Sequence, residues 1–504
     1  MRRRHVKKTG SLMALTLVAS MGITSLSPAL NVKADDSQGK YYGSFTSMED
    51  AKKAAEQLTK ELASEGDILL KNNNKTLPLN GSAWVSVFGV RADNLVGASD
   101  SSGAFSGDSE GSDSTVADAL TKAGFNVNPT LRQLYDNDSS SIGNEITNFS
   151  GQVQSSIATY NDAAIVVISR EGGEGSDAST TKAANGNEEV VGEDDSHAAL
   201  AVNAEGKAVK HSLMLTDSEE ELIEYVKANF DKVIIVLNTS NAMEMGELQN
   251  DDGISAIIDI GRPGVGGLDA LAGILNGTYN PSGSLVDEWM TDFTADPTWY
   301  NFGSNAQNNR EGYAGSNTYI AANDASSISD SEGYHGVDYE ESIYLGYKYY
   351  ETYYYDLYHG VYNGGVENDE THAEAQKWWE ENVTYPFGYG LSYTTFSFNA
   401  GGIYTDAACT NALGSSVDAS IFSSSAGNIA QVEKLYVPVR VTNTGSTAGK
   451  KTVQAYVSAP YTKGGIEKSA VSLVGFAKTD MLEPGESQTV IVEFNVQDMA
   501  SWDY

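Results

Sequence analysis

The chain has 504 residues, and its 32 Lys and Arg against 68 Asp and Glu leave a formal net charge of −36. That length holds roughly two to four domains, and a surface this acidic repels nucleic acid and anionic membranes, so neither is expected as a partner. The single cysteine, Cys409, excludes an internal disulfide and a multi-cysteine zinc site.

Residues 1–8 carry five cationic side chains, residues 11–26 are apolar with small residues, and Val32-Lys33-Ala34 offers a small-x-small cleavage pattern. This layout predicts a secretory signal peptide over 1–34. Its apolar core is shorter than the roughly 20 residues of a comfortable membrane span. The mature protein is therefore expected to be exported, secreted or held at a bacterial cell surface, without a membrane span. A lead-in over 35–60 follows, containing an amphipathic helix at 48–62.

From residue 61 onward, strand and helix patterns alternate. Trp84–Val90 reads as a strand and 114–123 as a helix stopped by Gly124. Ala163–Ser169 is a continuous apolar strand. Residues 217–229 form a helix with Thr216 as cap and Glu219 three residues on. Val233–Leu237 and Ala256–Ile260 are further apolar strands, and Leu268–Leu275 is a helix ending before Gly277. Continuous apolar strands between helices predict an α/β fold over 61–400. It is a layered α/β sandwich with a mostly parallel sheet covered on both faces, and it binds ligands at the carboxyl ends of its strands.

Stretches 301–335 and 405–430, rich in Ser, Asn, Ala and Gly, read as long loops, with 401–430 as a linker. The pattern then changes to short alternating strands at 434–442, 452–457, 471–476 and 489–494, with a turn at Leu482–Glu486. Residues 431–504 are predicted to form an all-β fibronectin- or immunoglobulin-like sandwich.

Catalytic chemistry concentrates after the strand at 163–169. The segment Ile168-Ser-Arg-Glu-Gly-Gly-Glu-Gly-Ser-Asp177 places Glu171, Glu174 and Asp177 among three glycines that let the backbone turn sharply and leave room for a ligand. A carboxyl group at a sheet mouth suits general acid/base work. The same spacing also fits a solvated acidic loop. Nucleotide-binding glycine patterns are missing, and these carboxylates would repel phosphate. Gly107-Asp-Ser-Glu-Gly111 matches a serine-hydrolase elbow, but Ser109 lies in a polar run with no strand directly before it. The six histidines lack H-x-x-x-H spacing, so no metal or cofactor is expected. Cys409 reads as an incidental thiol. Nine tyrosines between Tyr344 and Tyr362 could stack on sugar rings, but packing at an interface is the favoured reading.

Several segments together resemble the family 3 glycoside hydrolases, specifically their carboxyl-terminal α/β domain followed by a fibronectin type III-like domain. Glu65–Asn72 with Thr76–Leu79 is similar to the family's opening segment, and Ser169–Gly175 to its acid/base loop. Further matching blocks are Gly264–Ala270 with Asn280–Gly283, Tyr339–Glu351, Tyr385–Phe396, Val441–Gly445, Leu473–Phe476 and Leu482–Glu486. The resemblance implies retaining hydrolysis of a β-linked oligosaccharide or glycoside. It assigns Glu174 as the acid/base, with β-glucosidase the expected activity of the whole enzyme. Glu171 adds negative charge beside Glu174 and is expected to raise its pKa.

The family's nucleophile is an aspartate on a (β/α)8 barrel, and no barrel fits before this domain. The order is expected to be the permuted one, with the barrel in a later domain or a partner chain. Met290-Thr-Asp-Phe293 looks like the nucleophile motif but lies inside the α/β domain, so Asp292 is rejected. The alternative function is a non-catalytic exported module that binds glycans or proteins through the tyrosine-rich region and the β-sandwich.

Overall fold

The computed structural model describes residues 33–35, 40–42, 45, 47–93, 95–96, 115–137, 145–172, 178–191, 200–264, 266–299, 341–414, 432–462 and 464–501. The expected signal peptide up to residue 32 and the expected loop at 301–335 lie outside the described residues. Among the described residues no helix is long and apolar enough to cross a membrane.

The chain divides into two compact units, Met1–Leu58 and Thr59–Tyr504. In the first, β1 (Lys33–Asp35) pairs antiparallel with β2 (Lys40–Tyr42). Helix α1 (Met48–Gly66) starts here, with a Glu49–Lys53 pair one turn apart at 2.7 Å.

The second unit is built on a six-stranded sheet. Its elements in chain order are β3 (Ile68–Asn72), β4 (Trp84–Phe88), α2 (Val116–Lys122), β5 (Asn126–Val127), α3 (Pro129–Asn137), α4 (Gly151–Ile157) and β6 (Ala163–Ser169). These are followed by α5 (Asp217–Lys227), β7 (Val233–Asn238), α6 (Gly246–Asn250), β8 (Ala256–Asp259) and α7 (Gly267–Leu275). The strand order is β3-β8-β7-β6-β4-β5. All neighbours run parallel except β3, which pairs antiparallel with β8. The mostly parallel α/β fold read from the sequence is thus the observed one.

Continuous apolar runs arise because both faces of each strand are covered. In β6, Ala164, Val166 and Ile168 enter one core with Leu131, Val153 and Leu222 of α3, α4 and α5. Ala163, Ile165 and Val167 enter the other, with Leu120 of α2 and Leu271 of α7. The cap signals also hold: Thr216 and Glu219 form a capping box at the start of α5. β3 eluded the sequence reading because Lys71 interrupts its apolar run. Lys71 is buried, and its ammonium donates to the carbonyls of Leu248, Gln249 and Asp251 at 2.7–3.0 Å, where α6 ends.

Beyond the sheet, β9 (Trp289–Met290) pairs with β10 (Val383–Tyr385), and between them run α8 (Tyr347–Tyr358) and α9 (Asp369–Asn382). The tyrosine run is α8 itself. Tyr353 packs on Trp378 of α9 with ring centroids 4.5 Å apart, and Tyr350 is buried.

The remaining strands are β11 (Phe396–Ala400), β12 (Ile403–Tyr404), β13 (Ala412–Gly414), β14 (Lys434–Asn443), β15 (Thr452–Val457), β16 (Ser472–Lys478) and β17 (Ser487–Asn495). They form the antiparallel sandwich, with β14 central between β11 and β17 and with β15 paired to β16. Val439, Val441, Val490 and Val492 alternate inward, as period-2 burial of one face requires. The sandwich sheet thus draws in Phe396–Ala400 from the expected α/β span, and 403–404 and 412–414 from the expected linker, because β14 would otherwise expose an unpaired edge. Residues 415–431 lie outside the described residues.

Candidate active site

β4, β6, β7 and β8 run parallel, so their carboxyl ends share one edge of the sheet, and the loops that follow them form its mouth. Asn238, the last residue of β7, organises this mouth. It is fully buried, and all four of its hydrogen-bonding positions are used. Its Oδ1 accepts from the Val96 amide at 2.7 Å and from Ser169 Oγ at 2.8 Å. Its Nδ2 donates to the carbonyls of Val96 at 3.0 Å and Gly261 at 2.7 Å. One side chain therefore ties the end of β6 to the segments following β4 and β8.

The acidic loop leaves β6 at Ser169, and its first residue, Arg170, points inward. The Arg170 side chain is fully buried and forms a two-pronged pair with Glu219 at 2.8 and 2.6 Å. It also donates to the carbonyls of Ser169 at 2.9 Å and Met214 at 2.7 Å. The Glu219 carboxylate in addition accepts from the Thr216 amide at 2.9 Å. The capping signal read from the sequence is thus also the anchor of the loop.

Glu171, the next residue, faces solvent with its carboxylate hydrogen-bonded by the Arg91 guanidinium from the loop after β4. The pair places a positive charge directly against the Glu171 carboxylate. At Gly172 a methyl group would stand 2.7 Å from Asn241 Nδ2, so the Asn241 side chain reaches over the start of the loop. That Nδ2 is itself buried, with no hydrogen-bond partner among the described residues. Glu174 and Asp177 lie outside the described residues, as does Ser109.

At the far side of the mouth, Asp259 ends β8 and stands close to Asp67, which precedes β3. Burial raises both carboxyls, Asp259 to about 7, and their mutual repulsion adds to the rise at Asp67. Sequence reasoning missed Asn238, Arg91 and Asn241. Their only local signal is position, each standing at or just after the end of an apolar run.

Asp292 caps the short helix Phe293–Ala295, accepting from the Thr294 amide at 2.8 Å and the Thr294 hydroxyl at 2.6 Å, a structural role. Cys409 sits in a turn built on Asp406, and slight burial and that carboxylate hold its thiol protonated. Buried His211 pairs with Glu244 at 3.0 Å, while His359 and His372 share Glu367. Among the described residues no group of three His, Cys, Asp or Glu is arranged to hold a metal.

The most recognisable motifs are framework. Leu285 donates to Tyr389 O at 2.8 Å, and Gly388 donates back to Leu285 O at 2.8 Å. A methyl group on Gly390 would meet Gly283 O at 2.1 Å, and one on Gly283 would meet Gly66 O at 2.4 Å. The Asn280–Gly283 and Tyr385–Phe396 blocks need glycine because three backbones cross here in contact. Asn280 then ties this frame to the sandwich, donating to Ala448 O at 2.9 Å.

Comparison with known proteins agrees with this architecture. Residues 68–393 match the glycosyl hydrolase family 3 C-terminal domain, and residues 451–504 match the fibronectin type III-like domain. Beta-glucosidase A of Butyrivibrio fibrisolvens is 30% identical over 476 residues, covering 89% of this chain and 46% of that protein. A beta-glucosidase of Ruminococcus albus is 27% identical, over 88% of this chain and 36% of its own length. The structure of beta-glucosidase 3B from Thermotoga neapolitana in complex with glucose is 27% identical and superposes with a TM-score of 0.60, covering 90% of this chain and 50% of that one. This chain therefore spans less than half the length of these two curated relatives. With 326 consecutive positions, 68 to 393, matched to one family model on a fold of the same kind, the chain belongs to the glycosyl hydrolase family 3 C-terminal domain family.

Proposed function

We propose that this chain supplies the acid/base carboxylate of an exported, retaining β-glucosidase whose nucleophile comes from a (β/α)8 barrel outside these residues. Glu174 protonates the leaving oxygen as the glycosyl-enzyme forms, then takes a proton from the water that cleaves it. In retaining enzymes the two carboxyls stand about 5–5.5 Å apart. The substrate is a β-glucoside. Residues 1–34 are the export signal and 35–60 the lead-in, the catalytic-loop domain runs from 61 to the start of β11, and the sandwich takes in β11, β12 and β13 together with 431–504.

The observation that carries this reading is the anchoring of the loop start. Arg170 and Glu171 are each held by a different neighbour at the strand mouth, through Glu219 and Arg91. A merely solvated acidic loop has no need of a buried arginine at its root. The relatives named beta-glucosidase support the substrate class.

The test is Glu174→Ala in the enzyme that contains the barrel. Cellobiose hydrolysis should collapse, because a sugar leaving group needs a proton. Dinitrophenyl glucoside, whose leaving group needs none, should still form the covalent intermediate. Azide, a nucleophile that needs no base, should then restore turnover. Azide rescue in Glu171→Ala or Asp177→Ala, with none in Glu174→Ala, would move the acid/base role to another carboxylate.

A further inference from the structure

We propose that Trp84 and Tyr160 form a second, non-catalytic sugar-binding platform for β-linked gluco-oligosaccharides, at the edge of the sheet opposite the strand mouth. The choice of ligand rests on the β-glucoside reading above, whereas the platform is made of side chains well away from the acidic loop.

Trp84 opens β4, and burial along that strand falls from a fully covered Phe88 to an indole residue 43% exposed. At about 3.3 Å per residue, Trp84 lies roughly 13 Å from Phe88 along the strand. It therefore stands at the amino ends of the parallel strands, while the mouth lies at their carboxyl ends. The half-buried ring of Tyr160 lies beside it, with centroids 4.7 Å apart and planes inclined at 45°. Both rings stand on fixed backbone. The Trp84 amide donates to Asp162 Oδ2 at 2.8 Å, and the Asp162 amide donates to Trp84 O at 2.8 Å. The Tyr160 amide donates to Ser156 O at 3.0 Å, and the Tyr160 carbonyl accepts from Ser86 Oγ at 2.9 Å. Rings held in this way lose little freedom when a ligand stacks on them.

The size and surroundings of the platform select the ligand. Among the described residues that open β4, β5, β6 and β7, Trp84 is the one exposed large apolar side chain, and neighbouring Phe125 and Phe230 are buried. Two rings standing alone are too small for a stable protein interface, which takes on the order of 800 Å² from each partner. Anionic ligands are disfavoured, because exposed Asp162 adjoins Trp84 and the chain carries a net charge of −36. A β-linked glucose unit suits the site. Its ring substituents are all equatorial, so each face is a layer of C–H groups that covers an aromatic ring, and its rim is a belt of hydroxyl donors. Acceptors for that belt stand on the residues that flank Trp84. Asn126 of β5 is in register with Trp84 and spends its Nδ2 on Ser82 O at 2.7 Å, which leaves its Oδ1 without a partner among the described residues. Asp162 spends Oδ2 on the Trp84 amide, and its Oδ1 is likewise left over.

The experiment runs the 504-residue chain in native gels cast with hydroxyethylcellulose, with amylose gels and polysaccharide-free gels alongside. The parent should be retarded by the β-glucan only. Trp84→Ala should weaken that binding about tenfold, and Tyr160→Ala severalfold, as expected for the loss of a stacked ring. Trp84→Phe keeps a ring and should retain most of the retardation. A fold defect is separated by a measurement on the parent itself, with nitrogen-labelled tryptophan. The indole N–H resonance that is missing in Trp84→Phe should shift on titration with cellotetraose and stay in place with maltotetraose. An unretarded parent, full retardation in Trp84→Ala, or a Trp84 resonance that cellotetraose does not move would overturn the proposal. Retardation by amylose in place of the β-glucan would overturn the ligand named here. Glu174→Ala should leave the retardation unchanged, so failure of azide rescue in the barrel-containing enzyme would sink the acid/base assignment and leave this platform standing.

Discussion

Ser169 and Asn238 stand side by side in register at the carboxyl ends of β6 and β7, and the serine hydroxyl donates to the asparagine Oδ1 at 2.8 Å. The bond is buried, and the same oxygen accepts from the amide of Val96, 142 residues earlier. Asn238→Asp keeps the shape but replaces two N–H donors by an oxygen facing the carbonyls of Val96 and Gly261. That variant should lose about 2–4 kcal/mol in urea unfolding, from buried groups left unpaired. Ser169→Ala removes one donor to an oxygen that keeps another and should cost only about 1 kcal/mol. Equal losses in the two would show that Asn238 is not the hub of the mouth.

The Arg170–Glu219 pair is buried at the root of the acidic loop, so breaking it is expected to cost more than the pair is worth. Arg170→Met should destabilise by about 3–5 kcal/mol, because the Glu219 carboxylate remains without its partner. Combining it with Glu219→Gln, which retains an acceptor for the Thr216 amide, should recover part of that loss. A double-mutant cycle by denaturant unfolding measures the coupling, and strict additivity would contradict the geometry.

Glu288 provides a pH dependence. Its side chain is fully buried, Oε2 accepts from the Phe387 amide at 2.6 Å, Oε1 has no partner among the described residues, and burial raises its pKa to about 8. Between the ordinary value of 4.5 and about 8 the folded chain holds this proton more tightly than the unfolded one. The contribution to stability is therefore greatest below 4.5, falls as pH rises through that window, and levels off above it. Asp259, raised to about 7, acts in the same direction. Glu288→Gln should match the parent at pH 4.5 and be the more stable by about 1–3 kcal/mol at pH 8. Parallel unfolding midpoints at the two pH values would exclude Glu288 as a source of alkaline instability.

Asp292 resembles a glycosidase nucleophile in its local sequence but is spent on capping Thr294. The purified chain should therefore hydrolyse nitrophenyl glucosides far below the roughly 10 turnovers per second typical of enzymes. Asp292→Asn, which can still cap, should change stability by less than about 1 kcal/mol. Ordinary enzymatic turnover by the chain, abolished in Asp292→Asn, would make Asp292 the nucleophile after all.

Much of this protein is determined by its sequence locally. Uninterrupted apolar strands require two covering layers, and β6, β7 and β8 send alternate residues into two separate cores as that requirement demands. Period-2 alternation after residue 430 marks the sandwich, and Thr216 with Glu219 marks the start of α5, because these signals arise between residues a few positions apart. The acidic, glycine-rich loop was equally visible as a candidate. Tertiary structure alone decided what holds that loop. Arg91 meets Glu171 across 80 positions, Arg170 meets Glu219 across 49, and Asn238 meets Val96 across 142. It also decided that the tyrosine run packs α8 against α9, and that the glycines of the Asn280–Gly283 and Tyr385–Phe396 blocks are crossing points of the frame. The physical reason is common to all of these. Hydrogen bonds, ion pairs and close backbone crossings act over a few ångströms in space, and only the packed sheet determines which distant residues come that near.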